Sequence, residues 1–158
     1  MLLSGCLATS PVNQGSRIDE VPMCGGIDRS TFPELKAGDE KFISDVTAQF
    51  GSRERASALW VNYGFKLLKQ NNYGMATRRF DQAWLLDPTN AEVYWGFSTV
   101  LHDRDRGEEC EAMRMMDKTL TLNPATYQGI YPDAGQIVTL CAIRDKTLSP
   151  EHASKENG

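Results

Sequence analysis

Apolar residues recur along the middle of the chain at intervals of three and four, the period of an α-helix with one buried face. Trp60, Tyr63, Gly64 and Leu67 form one such stripe, and Ala76, Phe80 and Ala83 form a second at i, i+4 and i+7. Gln70-Asn71-Asn72 interrupts the pattern between them. Small residues alternate with large ones: Gly64, Ala76 and Ala83 leave holes, and Trp60, Tyr73 and Phe80 supply the bulk to fill them. Pro88 lacks the N–H that a continuing helix needs, so the chain turns there. Beyond it, Tyr94, Phe97, Ser98 and Leu101 predict another helix, and Ala112, Met116 and Leu120 one more. Upstream, Phe42, Ile43, Val46 and Phe50 share a face that ends at Gly51. Near the other end, Asp133-Ala134-Gly135-Gln136 has the form of a capping-box variant, followed by the apolar Ile137, Val138, Leu140 and Cys141. The pattern predicts an all-α fold with helices at 37–50, 53–71, 73–86, 91–104, 108–121 and 133–145.

The two central helix pairs echo each other. Leu85-Leu86-Asp87-Pro88-Thr89-Asn90 and Leu120-Thr121-Leu122-Asn123-Pro124 place their prolines 36 residues apart. Within 57–90, the series Trp60, Gly64, Tyr73, Ala76, Phe80, Ala83 and Pro88 resembles the tetratricopeptide repeat (TPR), a helix–turn–helix unit of 34 residues. The resemblance implies a short helical solenoid of about two repeats flanked by capping helices, because two units alone would leave apolar surface bare. The second repeat departs from the family at Ser98, where a Gly or another small residue is usual, and in a longer turn between its helices, near His102 to Gly107. In the family, the first helix of each pair lines a groove. Carried over position by position, that groove falls on Val61, Asn62, Phe65, Leu68 and Lys69, and then on Glu92, Trp95, Thr99, His102 and Asp103. Phe65 and Trp95 stand off the core stripe, where large aromatics can anchor a partner segment. The competing expectation is that the N-terminal helix or the segment before it covers them.

The chain opens Met1-Leu2-Leu3-Ser4-Gly5-Cys6. Leu3-Ser4-Gly5-Cys6 resembles the bacterial lipobox, whose cysteine becomes the acylated first residue of the mature lipoprotein. The resemblance implies that residues 1–6 are the remnant of a signal peptide ending at Cys6, and that Cys6 carries a palmitate-type anchor. Leu7 stands where an Asp would mark inner-membrane retention, which implies the outer membrane, with the folded part facing the periplasm. Residues 7–34 contain Pro11, Gly15, Pro22, Gly25, Gly26 and Pro33, the composition of a flexible tether. The folded domain is expected over 35–148, followed by a disordered polar tail over 149–158.

Composition narrows the classes further. A chain of 158 residues, 41% hydrophobic and 24% charged, has the make-up of one ordinary globular domain. A net charge of −4 argues against nucleic acid as a partner. No apolar run approaches the ~18–20 residues of a membrane-spanning helix. Only His102 and His152 are available as histidines, and no nucleophile elbow, phosphate loop, dinucleotide fingerprint or zinc-protease motif occurs. No catalytic residue, cofactor or metal is therefore expected. The densest polar run, His102-Asp103-Arg104-Asp105-Arg106-Gly107-Glu108-Glu109, could be read as ligands for a cation, but its arginines favour a solvated turn of alternating charge. Met113, Met115 and Met116 suit adaptable packing better than copper.

With Cys6 set aside, Cys24, Cys110 and Cys141 remain. Antiparallel neighbours would bring the start of helix 108–121 beside the end of helix 133–145, so Cys110 and Cys141 should be close. They are either bonded in an oxidising compartment or simply small buried residues. The expected function is that of a non-enzymatic scaffold, an adaptor or assembly factor holding a protein or peptide partner. Two alternatives are an immunity or inhibitor lipoprotein against a secreted toxin, and an accessory subunit of an envelope enzyme.

Overall fold

Each helix starts where a local signal tells it to. The computed structural model of the chain describes residues 28–104, 106–122, 124 and 129–148; Cys6, Cys24, most of the expected tether and the 149–158 tail lie outside them. Among the described residues six α-helices follow in order: α1 (Pro33–Phe50), α2 (Arg53–Leu68), α3 (Tyr73–Leu86), α4 (Ala91–Asp103), α5 (Glu109–Thr121) and α6 (Ile130–Leu148). Ser52, Asn72 and Asn90 cap α2, α3 and α4 by accepting from Arg55 N, Met75 N and Glu92 N, replacing partners that the first turn of a helix lacks. Gly51 ends α1 at φ 92°, a left-handed conformation natural to glycine. The end of α2 closes on itself, with Gln70 N and Asn72 N donating to Leu67 O at 3.0 Å and Asn71 in the left-handed region at φ 57°. Arg53 reaches across to the far end of α3 and donates to Leu86 O at 2.8 Å and Leu85 O at 3.0 Å, covering carbonyls that a helix end leaves open.

Two boundaries differ from the sequence expectation for a proline-related reason. α1 begins at Pro33 rather than 37, and α6 begins at Ile130 rather than 133. A proline inside a run suggests a break, yet in the first turn its missing N–H is not needed. Pro33 is the first residue of α1 and Pro132 the third of α6. Asp133 to Gln136 therefore lie inside α6 and do not cap it. Structure also starts earlier than residue 35: Arg29–Thr31 form a 3-10 turn, and buried Arg29 grips Asp39 of α1 through Nε at 2.8 Å and Nη2 at 2.5 Å. Asp28 caps this turn, and its hydrogen bonds from Ser30 hold the carboxyl below the ordinary value.

The helices fall into two layers. α2 packs on α3 and α4 on α5, while α2, α4 and α6 are neighbours in one layer and α3 also touches α4. Phe80 of α3 is fully buried at their centre. A Cβ placed on Gly64 of α2 would come within 2.6 Å of its ring, and one on Gly96 of α4 within 2.3 Å. Phe65 and Phe97 meet the same ring edge-on at 5.2 and 6.0 Å. Gly64 was expected as a hole; Gly96 was not. On the first helices, Trp60, Gly64 and Leu67 are matched in spacing by Tyr94, Ser98 and Leu101, and again by Ile130, Ala134 and Ile137 on α6. Ser98 is fully buried and donates to Ala112 O at 2.7 Å, as Ser57 donates to Ala83 O at 2.8 Å. A hydroxyl at these close approaches is tolerated because it has a partner.

Two expectations about individual side chains are corrected. Leu120 is 36% exposed, and Thr119, one position earlier and seven after Ala112, is the buried residue. Tyr63 is 47% exposed, lying under the Arg79 guanidinium at 5.0 Å. Met115 as well as Met116 is buried. At the N-terminal side, α1 closes over Trp60, whose ring meets Phe42 and Phe50 edge-on at 5.9 and 5.7 Å and whose indole N–H donates to Gln82 at 2.7 Å. Tyr94 fixes the turn after α3 by donating to Pro88 O and accepting from Trp84 Nε1; burial pushes its phenol above the ordinary value. At the C-terminal side, Cys110 of α5 and Cys141 of α6 form a disulfide with Cα atoms 4.7 Å apart. A cross-link of this kind stabilises by about 2–4 kcal/mol.

The Phe80 contact gives a direct test. Gly96→Ala should destabilise by about 1–3 kcal/mol, the usual cost of overpacking, although alanine is the better helix former by about 1 kcal/mol. Combined with Phe80→Leu, part of that cost should disappear, because the smaller side chain vacates the contact. Denaturant melts in which the two losses simply add would show that Gly96 does not abut the ring.

Candidate partner-binding face

The layer of α2, α4 and α6 carries the residues expected to line a groove, and the structure sorts them. Val61 and Leu68 are core residues at 1% and 8% exposure, which removes them from any surface. They fall on the same side of α2 as Gly64, facing α3. Asn62 is exposed on α2, Lys69 just past its end, and Asp103 at the end of α4. Phe65, Glu92, Trp95, Thr99 and His102 are half-buried.

Phe65 and Trp95 come together. Their ring centroids lie 4.8 Å apart at 54°, within the range in which aromatic pairs gain beyond simple area burial. Phe65 in turn rests on Phe80, so the pair is the outer end of the central stack. Thr99 donates to the Trp95 carbonyl at 2.9 Å, one turn along α4. Among the described residues, the start of α6 is a neighbour of Trp95. The indole N–H donates to Asp133 Oδ2 at 2.9 Å, and a Cβ on Gly129 would stand 3.1 Å from the ring. The indole is thus pinned on one edge and left partly open to solvent.

Asp133 was missed by the sequence reading, which spent it on a helix cap. The signal that could have found it is the third occurrence of the first-helix spacing at Ile130, Ala134 and Ile137. That spacing makes α6 a neighbour of α4 and turns its first turn toward Trp95. At the other end of α4, burial pushes the Asp103 carboxyl above its ordinary value; His102 opposes this, and the Asp133 charge adds to it. The residue as a whole is exposed, so the effect reflects partial loss of hydration beside α6. The face therefore offers an aromatic platform with acidic groups along one side.

The polar run after α4 does not converge into a cation site among the described residues. Arg104 holds Glu108 through two hydrogen bonds of 2.6 Å; Asp105 lies outside the described residues. Met113 is half-buried and, with Met116, Leu120 and Val138, lines a cleft of about 240 Å³ between α5 and α6. Compared with protein-family models, with curated proteins and with solved structures, the chain matches none.

The acidic pair has a pH signature. A carboxyl whose folded-state value is raised binds protons more tightly folded than unfolded, so it lowers stability as pH rises through the carboxylate range. Asp103→Asn should therefore melt at a higher temperature than the parent at pH 7, with the difference shrinking as the pH falls below the ordinary carboxylate value. Melting curves at pH 7 and pH 3 with an unchanged or inverted difference would contradict this placement.

Proposed function

We propose that the protein is a TPR-like helical solenoid that holds a protein or peptide partner on the concave side formed by α2, α4 and α6. It acts as an adaptor or assembly factor rather than as a catalyst. The observation that carries this reading is the Phe65–Trp95 pair, half-buried, in contact at 4.8 Å and pinned by Asp133. Rigid, partly exposed aromatics with fixed rotamers are what binding surfaces use as anchors, because little side-chain freedom remains to be lost. The threefold recurrence of the first-helix spacing supports the solenoid, since each unit buries its apolar face only against the next.

The cellular setting we propose rests on the cysteines. A lipid on Cys6 would tether the domain to the outer membrane from the periplasmic side. The Cys110–Cys141 disulfide suits such an oxidising compartment. Tethering raises the effective concentration of the domain beside a membrane-bound partner, so a small binding face can suffice.

Crosslinking in intact envelopes followed by pull-down compares the parent with Trp95→Ala. Loss of an anchoring Trp costs about 2 kcal/mol or more, some thirtyfold in affinity, so the variant should recover its partner far less well. Equal recovery of the same proteins would defeat the groove assignment. Separately, Cys6→Ser in the full precursor should move the protein from the membrane to the soluble fraction, and unchanged fractionation would defeat the anchor.

A further inference from the structure

One gathering of metal-ligating side chains is not used by the binding face. Cys110, Cys141 and Asp145 place one ligand atom each within 4.8 Å of one another. Cys110 is the second residue of α5, while Cys141 and Asp145 lie four residues apart on α6 and so share a face one turn apart. Cys110 Sγ stands 3.8 Å from Asp145 Oδ1. We propose that when the Cys110–Cys141 disulfide is reduced, these three side chains bind one zinc-class divalent cation, making the disulfide and the metal mutually exclusive staples between α5 and α6.

The geometry needs little adjustment. Two thiolates on one tetrahedral zinc, each ~2.3 Å from the ion, have sulfurs roughly 3.8 Å apart. The sulfurs are bonded now, so the two side chains must rotate apart, which Cα atoms 4.7 Å apart allow. The chemistry of the donors selects the ion: two soft thiolates with one carboxylate match zinc far better than magnesium or calcium. Cys141 is buried and Asp145 exposed, so the fourth coordination position opens to water on the Asp145 side. Nearby, Arg144 pairs with Glu109 at 3.0 Å and offsets part of the negative charge.

The exchange balances. A dithiol reductant supplies two electrons and two protons; its own sulfurs become a disulfide while the Cys110–Cys141 bond opens to two thiols. Binding of the cation then displaces both thiol protons to solvent. Oxidation by an oxidised dithiol runs the sequence backwards and expels the ion. Among the described residues of α6, Ile130, Ala134, Ile137 and Cys141 are the buried ones, and of these Cys141 alone lies in its C-terminal half, so the staple there matters. A bound cation would keep that half docked under reducing conditions, in which the covalent bond is lost.

The test uses full-length chain in a Cys6→Ser/Cys24→Ser background, so that only the pair can supply sulfur. After reduction with a phosphine and its removal without oxygen, cobalt(II) should bind with one-to-one stoichiometry. It should show a sulfur-to-cobalt charge-transfer band and the visible bands of four-coordinate cobalt. Zinc should displace it and raise the melting temperature of the reduced protein. The oxidised protein should show neither band nor shift. Asp145→Asn, at an exposed position that should leave the oxidised protein's melting unchanged, should weaken binding by at least the roughly tenfold typical of losing even an outer partner of a metal ligand. Absence of the charge-transfer band in reduced protein that retains its helical circular dichroism would overturn the site. An Asp145→Asn titration identical to the parent's, or equal binding by the oxidised protein, would overturn it too.

Discussion

The ring of Phe80 sets the distance at which α2, α3 and α4 can approach. It fits because the two neighbouring helices present glycine to it, Gly64 from one side and Gly96 from the other. Either residue with a side chain would push a helix away, since a close-packed interior has no slack to absorb a methyl group. The aromatic contacts that radiate from the ring, to Phe97 inward and to Phe65 outward, then fix the rest. Phe65 can stand against Trp95 only because Phe80 lies beneath it. The candidate binding face is in this sense the surface end of the core.

Close approach of helices brings polar backbone into the interior, and the chain answers with short hydroxyl side chains. Ser57 and Ser98 each donate to a carbonyl on the facing helix, Ala83 and Ala112 respectively. Asn90 caps α4 and also donates to Ser57 at 2.9 Å, so the start of α4 is tied to the α2–α3 pair. Gln82 accepts from both Trp60 and Arg79 at 2.7 Å. These bonds contribute modestly one by one, but a buried polar group left without one costs more than the bond gains. They make the register between helices specific where apolar packing alone would tolerate sliding.

α6 joins the two halves of the functional reading. Its first turn brings Asp133 to the Trp95 indole, and one face of its later turns carries Cys141 to Cys110. Whatever holds α6 in place therefore also orients the aromatic pair. Among its described residues Ile130, Ala134, Ile137 and Cys141 are buried, while Tyr131, Val138 and Ile143 remain 59%, 48% and 53% exposed. A helix with so little buried surface gains more from a covalent or metal link than one in the middle of the stack, because the link removes freedom that packing alone restrains weakly.

Local chemistry written in the sequence settled the number and order of the six helices, though not the first turns of α1 and α6. The three- and four-residue spacing of apolar positions and the stops at Gly51 and Pro88 act over a few residues, so they could be recognised without coordinates; the caps at Ser52, Asn72 and Asn90 came from the structure. The resemblance to the tetratricopeptide repeat brought Phe65 and Trp95 forward as residues off the core stripe. What it could not give was the identity of the opposite wall. Gly96 carries no hydrophobic signal of its own, and its role exists only because Phe80 faces it. Asp133 has the sequence context of a cap, but α6 begins at Ile130 and lies against α4; Arg29 has that of a linker, but Asp39 lies within its reach. Val61 and Leu68 left the surface for the same reason, since a periodic pattern says which residues share a side of a helix but not which side a neighbouring helix will cover. That choice belongs to the tertiary structure, where contacts between residues distant in the chain decide which groups lose water.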